Sequence, residues 1–232
     1  MKRIITLIAF LIIADFSSAQ DREEYFVINP LGATILSEPD FNSQRIGRIN
    51  PGEKILIIDP DFSKESTLSI GPHLEINGHW ISIHLSDETG FIFTTDLSKF
   101  PPSRLTEYEG QEELHLSGKQ LKREEYSEEQ ATEFGTFPKR IKKIQFEKAS
   151  VEEVFFDGCL TWEYELKGFS LSEAYHQVLQ LTASIWDNRI EIPKVISQEQ
   201  NTWNFSNIDA CQEIKLVDLG KGNYRISFYS CT

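Results

Sequence analysis

Residues 77–97 read NGHWISIHLSDETGFIFTTDL, and this stretch decides how the chain is organised. HWISIHL (79–85) and FIFTT (91–95) are rich in β-branched and aromatic side chains and are predicted strands. Asp87-Glu88-Thr89-Gly90 between them supplies turn chemistry, so the acidic cluster is first of all a strand connector. Working outward, YFVI (25–28), ATIL (33–36) and KILIID (54–59) are further short β-type runs. Ser37-Glu38-Pro39-Asp40 and Asn50-Pro51-Gly52-Glu53 separate them as turns. Several short strands at close spacing predict a small antiparallel barrel over residues 25–100. Closure of such a barrel would remove exposed strand edges.

Pro101-Pro102 ends that region, and residues 101–137 read as an acidic linker without a sustained apolar stripe. A second region, residues 138–232, contains the predicted strands RIKKIQFEKA, VEEVFF, LTWEYEL and IEIPKVI and a terminal hairpin. One helix is predicted in SLSEAYHQVLQLTASIWD. Ser170 and Glu173 form a capping box, and Leu171, Ala174, Tyr175, Val178, Ile185 and Trp186 trace one face. The fold class expected is therefore mostly β: a small barrel, then an α+β domain with one main helix on an antiparallel sheet.

The first 19 residues belong to neither region. Lys2 and Arg3 precede an apolar run of ten residues, 4–13, and Ser17-Ser18-Ala19 supplies small residues for cleavage before Gln20. The run is shorter than the roughly 20 residues a spanning helix needs. The reading is a signal peptide, 1–19, and export to the periplasm or beyond, with no transmembrane segment in the mature chain. Removing Lys2, Arg3 and Asp15 leaves 21 basic and 35 acidic side chains, so the formal charge moves from −13 to −14. Such a chain repels phosphate backbones and anionic lipid, which argues against nucleic acid as a partner.

An exported address permits disulfides, and three cysteines leave one over. CQEIKLVDLGKGNYRISFYSC reads as two strands around a three-residue loop, Gly220-Lys221-Gly222, which pairs residues whose numbers sum to 442. That register faces Ile214 with Phe228, Leu216 with Ile226 and Cys211 with Cys231, at about 4.5–5.5 Å between Cα atoms. A Cys211–Cys231 disulfide with Cys159 as a free thiol is expected; Cys159 bonded to either of the others is the alternative.

With the strands in place, residues 25–100 resemble the bacterial SH3 (SH3b) family. GATILSEPDFNSQRIGRINPGEKILII resembles the family's opening: a short strand, a Ser-x-Pro turn, an Ile-Gly step and a Gly-containing turn. Residues 77–97 resemble its closing half, in which a Trp strand leads through a Gly turn into an aromatic strand. Three departures stand out. Leu36 occupies the place of a usual Arg, Phe91 that of a frequent Trp, and residues 60–76 are an insertion between two central strands. The resemblance implies an accessory module of exported proteins that binds peptidoglycan or peptide. Phe62, Trp80 and Phe91 are the candidate ligand-binding aromatics, although the strand positions of Trp80 and Phe91 also suit core packing.

Cell-wall hydrolases often accompany such domains. Asp157-Gly158-Cys159 superficially resembles a peptidase nucleophile, yet it precedes a strand, and His176 is the only later histidine, on the predicted polar side of the helix. His73, His79 and His84 lack zinc-ligand spacing, with His79 and His84 on opposite sides of a strand. Acidic pairs such as Glu152-Glu153 and Glu163/Glu165 are abundant and read as solvated surface. No catalytic residue, metal or cofactor is expected. The function expected is an exported, non-catalytic protein whose first domain binds a cell-wall fragment or an envelope protein. The alternative is an interaction or inhibitory domain at the C-terminus with the first domain as spacer, and a hydrolase comes after both.

Overall fold

The computed structural model describes residues 22–58, 64–85, 88–102, 118–186 and 189–231. The expected signal peptide and Phe62 lie outside these residues. Among the described residues the chain is mostly β, with antiparallel sheets and one α-helix.

The first unit runs β1 (Arg22–Val27), β2 (Ala33–Leu36), β3 (Arg45–Ile49), β4 (Lys54–Ile58), β5 (Glu65–Ile70), β6 (Leu74–Leu85) and β7 (Glu88–Phe93). A 3-10 turn (Thr94–Asp96) and the short β8 (Leu97–Ser98) close it. The expected ring is not closed. The strands form two sheets, β4-β1-β8 and β3-β2-β7-β6-β5. The insertion is the reason. It forms β5, which pairs with the first half of β6 from Glu65↔His79 to Ile70↔Leu74, while β4 pairs with β1. The two sheets still enclose one apolar core of Val27, Ala33, Ile35, Ile55, Ile57, Ile81, Ile83, Ile92 and Leu97. Each of its Val, Ile and Leu side chains contributes about 1.5–3 kcal/mol on burial. Gly90 keeps this core closed, because a Cβ there would lie 2.4 Å from Ile35 Cγ2.

The second unit begins earlier than expected. Residues 120–132, read as linker, form β9 (Gln120–Thr132), which pairs along its length with β10 (Gly135–Phe146). β9 is almost wholly exposed, so it carries no period-two apolar pattern that could mark it as a strand. Pro138 is not a boundary but a member of β10 opposite Glu129. Pairing of β10 with the next strand starts only at Arg140, so Pro138 lies outside that ladder.

The chain continues through β11 (Ala149–Phe156), β12 (Cys159–Lys167), α1 (Leu171–Thr182), β13 (Ser184–Trp186) and β14 (Arg189–Glu191). It ends with β15 (Val195–Glu199), β16 (Thr202–Phe205), β17 (Cys211–Gly220) and β18 (Asn223–Cys231). Eight strands make one antiparallel sheet, β15-β16-β17-β18-β12-β11-β10-β9. IEIPKVI divides around Pro193: β14 pairs with β13 in a separate ribbon and β15 joins the large sheet.

The helix begins as the sequence predicts. The Ser170 hydroxyl accepts from the Glu173 N–H at 3.2 Å, and Glu173 accepts from the Ser170 N–H at 2.9 Å. It ends five residues early, so Ile185 and Trp186 belong to β13 and not to the helix face. Ala174, Tyr175, Val178 and Leu179 pack on Tyr164, Phe205, Ile214, Leu216, Ile226 and Phe228 of the sheet.

The disulfide joins Cys159 to Cys231, and Cys211 is the free thiol; the expected Cys211–Cys231 bond is replaced by the alternative. The terminal hairpin keeps the register of 442 at Lys215↔Ser227, Leu216↔Ile226 and Val217↔Arg225. A bulge between Gln212 and Lys215, with Glu213 at φ 48°, then shifts the pairing by one residue. Cys211 consequently faces Ser230, while Cys231 lies directly opposite Cys159 with the Cα atoms 4.1 Å apart. A one-residue slip turns every side chain to the other face, which separates Cys211 from the bridge.

Candidate functional site

Two arrangements in the first unit carry side chains placed for more than core packing. The first is aromatic. On β6 and β7 the pairs Trp80↔Phe93 and Ser82↔Phe91 set Trp80, Phe91 and Phe93 on the side opposite Ile81, Ile83 and Ile92. Trp80 is nevertheless only 1% exposed, and its indole donates to Ser66 Oγ at 3.1 Å. Phe41 covers it. The Phe41 ring lies 4.8 Å from both Trp80 and Phe93, and those two are 5.1 Å apart. Aromatic pairs at such spacings add about 0.5–1.5 kcal/mol each beyond burial.

Phe41 itself stays 40% exposed. Its loop is pinned by local chemistry: Asp40 Oδ1 accepts from the Asn42 N–H at 2.9 Å, the Ser43 hydroxyl donates to the Glu38 carbonyl at 3.0 Å, and Lys64 Nζ donates to the Pro39 carbonyl at 3.1 Å. The result is a fixed aromatic surface of Phe41 and half-buried Phe91, with Leu68 beside them. Of the candidate aromatics, then, Phe91 lines this surface, Trp80 supports it from below, and Phe62 lies outside the described residues. Phe41 was not singled out from sequence; its place directly after the Ser-x-Pro-Asp turn was the available signal.

The second arrangement is polar and lies where the two units meet. Gly78 admits it: a Cβ there would stand 2.8–3.0 Å from Thr95, Phe93 and Thr94, so only glycine lets the 3-10 turn lie against β6. The polar side of α1 docks on that turn. Ser98 Oγ donates to Glu173 at 2.6 Å, Ser172 Oγ donates to the Thr95 carbonyl, and Gln180 donates to the Ile28 carbonyl. His176 Nε2 lies 3.6 Å from Asp96 Oδ1, and Asn29 donates to the same oxygen at 2.9 Å. His176 was expected on the solvated side of the helix; it is 4% exposed. Burial raises the Asp96 carboxyl to about 6, against the lowering effect of Asn29. Burial also lowers the His176 imidazole to about 4, opposed by its hydrogen bond to the Thr95 backbone. Leu74 and Ile76, from the insertion and the start of β6, join Ile28 in the apolar core beneath this seam.

The second unit adds two surface features. A concavity of about 350 Å³ on the solvent face of the large sheet is lined by Lys122, Glu124, Lys143, Glu152, Glu163 and Glu165 among others. Its charges are mutually paired: Lys122–Glu124 at 2.6 Å, Lys143–Glu152 at 3.0 Å and Arg225–Glu165 at 2.8 Å. Beyond the reach of β11, the β9–β10 hairpin carries Phe134 at its turn, 84% exposed.

Cys159 cannot serve as a nucleophile while bonded to Cys231. Cys211 is half-buried, and burial together with Asp209 raises its thiol, so the reactive thiolate is disfavoured. No group of three or more His, Cys, Asp or Glu able to hold a metal occurs among the described residues. No described helix is long and apolar enough to cross a membrane. In comparison with known proteins, no family model, no curated protein and no solved structure matches the chain.

Proposed function

We propose that this is an exported, non-catalytic binding protein whose first unit, an SH3b-like module, recognises a peptide or glycan of the cell envelope through the surface around Phe41 and Phe91. One observation carries the reading. The second unit docks on Ile28, Leu74, Ile76 and the 94–98 turn, and Phe41, which caps a separate aromatic cluster, stays 40% exposed. Exposed aromatic rings held in place by a pinned loop and a strand suit sugar rings and extended peptides. The disulfide fits an oxidising compartment.

A second reading is favoured by the protruding hairpin: Phe134, preceded by Glu133, makes the second unit a docking element for an envelope protein with a basic surface. One experiment separates the two. Retention on purified peptidoglycan and on an immobilised peptide library is measured for the wild type, Phe41→Ala and Phe134→Ser. The first reading expects retention reduced at least about tenfold by Phe41→Ala, a loss of about 1.4 kcal/mol, and unchanged by Phe134→Ser. Retention that survives Phe41→Ala removes the aromatic surface from the proposal, and no retention of the wild type on either matrix removes the first reading.

A further inference from the structure

We propose that Asp96 and His176 act as a one-proton pair that keeps α1 docked on the first unit as the surroundings acidify. The pair sits inside the seam between the units. Asp96 comes from the turn after β7 and His176 from the middle of α1, 3.6 Å apart. The Asp96 side chain is 18% exposed and that of His176 5%. Among the described residues, the charged and titratable neighbours are these. The helix itself contributes Glu173, held by Ser98 and Ser170, and Tyr175, whose hydroxyl is raised to about 12 by burial and then by Asp96. The β1–β2 connection contributes only the neutral Asn29. β6 contributes Leu74 and Ile76, and β17 contributes Ile214, Leu216 and the partly buried, largely neutral Cys211.

In the unfolded chain, acid first protonates the imidazole near 6.5 and later the carboxyl near 3.8. In the folded chain the order reverses, with the carboxyl near 6 and the imidazole near 4. Both states therefore bind one proton across the same window, on different residues. The pH dependence of stability follows the difference in bound protons, which stays small throughout. Each residue alone would behave otherwise. A raised carboxyl stabilises the fold below its unfolded value, and that gain is lost as pH rises through 6. A lowered imidazole stabilises the fold above 6.5, and that gain is lost as pH falls through 4. The opposite signs offset one another only while both residues are present.

The test is the folding equilibrium of the intact chain between pH 7.5 and 4, measured by denaturant titration for the wild type, His176→Gln, Asp96→Asn and the double variant. Relative to the wild-type profile, His176→Gln should gain about 100-fold in folding constant on acidification, and Asp96→Asn should lose about 100-fold. The double variant should run parallel to the wild type. Single variants whose profiles also run parallel to the wild type overturn the proposal. Nitrogen chemical shifts of His176 in the unmutated chain give a reading that needs no variant. The ring should remain neutral at pH 5, and titration near 6.5 overturns the pair.

Discussion

The two sides of α1 are joined to the rest of the molecule by different physics. Toward the large sheet the helix presents Ala174, Val178 and Leu179, all 2% exposed or less, against Ile214, Leu216 and Ile226. Toward the first unit it presents Ser172, Glu173, His176 and Gln180, which face Thr95, Ser98, Asp96 and Ile28. The apolar side is adhesive without being directional and tolerates small shifts. The polar side works only in one register, because each displaced hydrogen bond leaves a buried group unpaired. The helix is thus glued to its own sheet and indexed against the neighbouring unit. Interfaces between units are commonly the more polar ones, and this seam follows that pattern.

The largest expected effect lies on the apolar side. Leu179→Ala removes a side chain that is 2% exposed and leaves a cavity beneath the helix. It should cost about 2–5 kcal/mol, read as a lower denaturant midpoint for the whole chain. If the midpoint falls only for β1 to β8 and not for the large sheet, the comparison is broken, since the helix would then belong energetically to the first unit.

A smaller and more local effect is expected from Gln180→Leu. The volume is kept, but the Ile28 carbonyl, at a fully buried residue, loses its donor. An unsatisfied buried carbonyl costs about 1–3 kcal/mol. Hydrogen exchange should accelerate in β1 and the 94–98 turn, with β12, β17 and β18 unchanged. Uniform acceleration across both units would show the seam and the sheet to be one cooperative body.

Sequence reading succeeded where one local rule governs one element. Ser170 and Glu173 announce the helix start because a capping box is satisfied within four residues. ATIL appears as β2 with the bounds expected, since its alternate residues Ala33 and Ile35 fill the core of the first unit. Reading failed where the deciding contact is distant. Nothing local marks β9, whose backbone is satisfied by β10 while its side chains face water. Glu213 at φ 48° is not a glycine, so the bulge that re-pairs the cysteines leaves no trace in composition. His176 reads as solvated by helical spacing because its cover comes from a turn about 80 residues earlier. Residues 60–76, first met as a departure from a family pattern, yield β5, and Leu74 with the following Ile76 forms part of the docking surface. The candidate aromatic surface was half legible: Phe91 was named, but Phe41 gains its role only from the fold of its loop over Trp80.

The smallest expected effect sharpens the idea of indexing. Ser172→Ala removes a hydroxyl donor to the Thr95 carbonyl. That carbonyl also accepts from His176, so it keeps one partner after the substitution. The cost should therefore be that of one net hydrogen bond, about 0.5–1.5 kcal/mol, without the penalty of an orphaned acceptor. Combined with His176→Gln, whose amide reaches less far, the two losses should exceed their sum, because the second substitution strips the last donor from the same oxygen. A denaturant-midpoint cycle over the wild type, both singles and the double measures this. Strict additivity would mean that Thr95 is held by the turn alone, and that the helix registers on Asp96 and Ile28 without it.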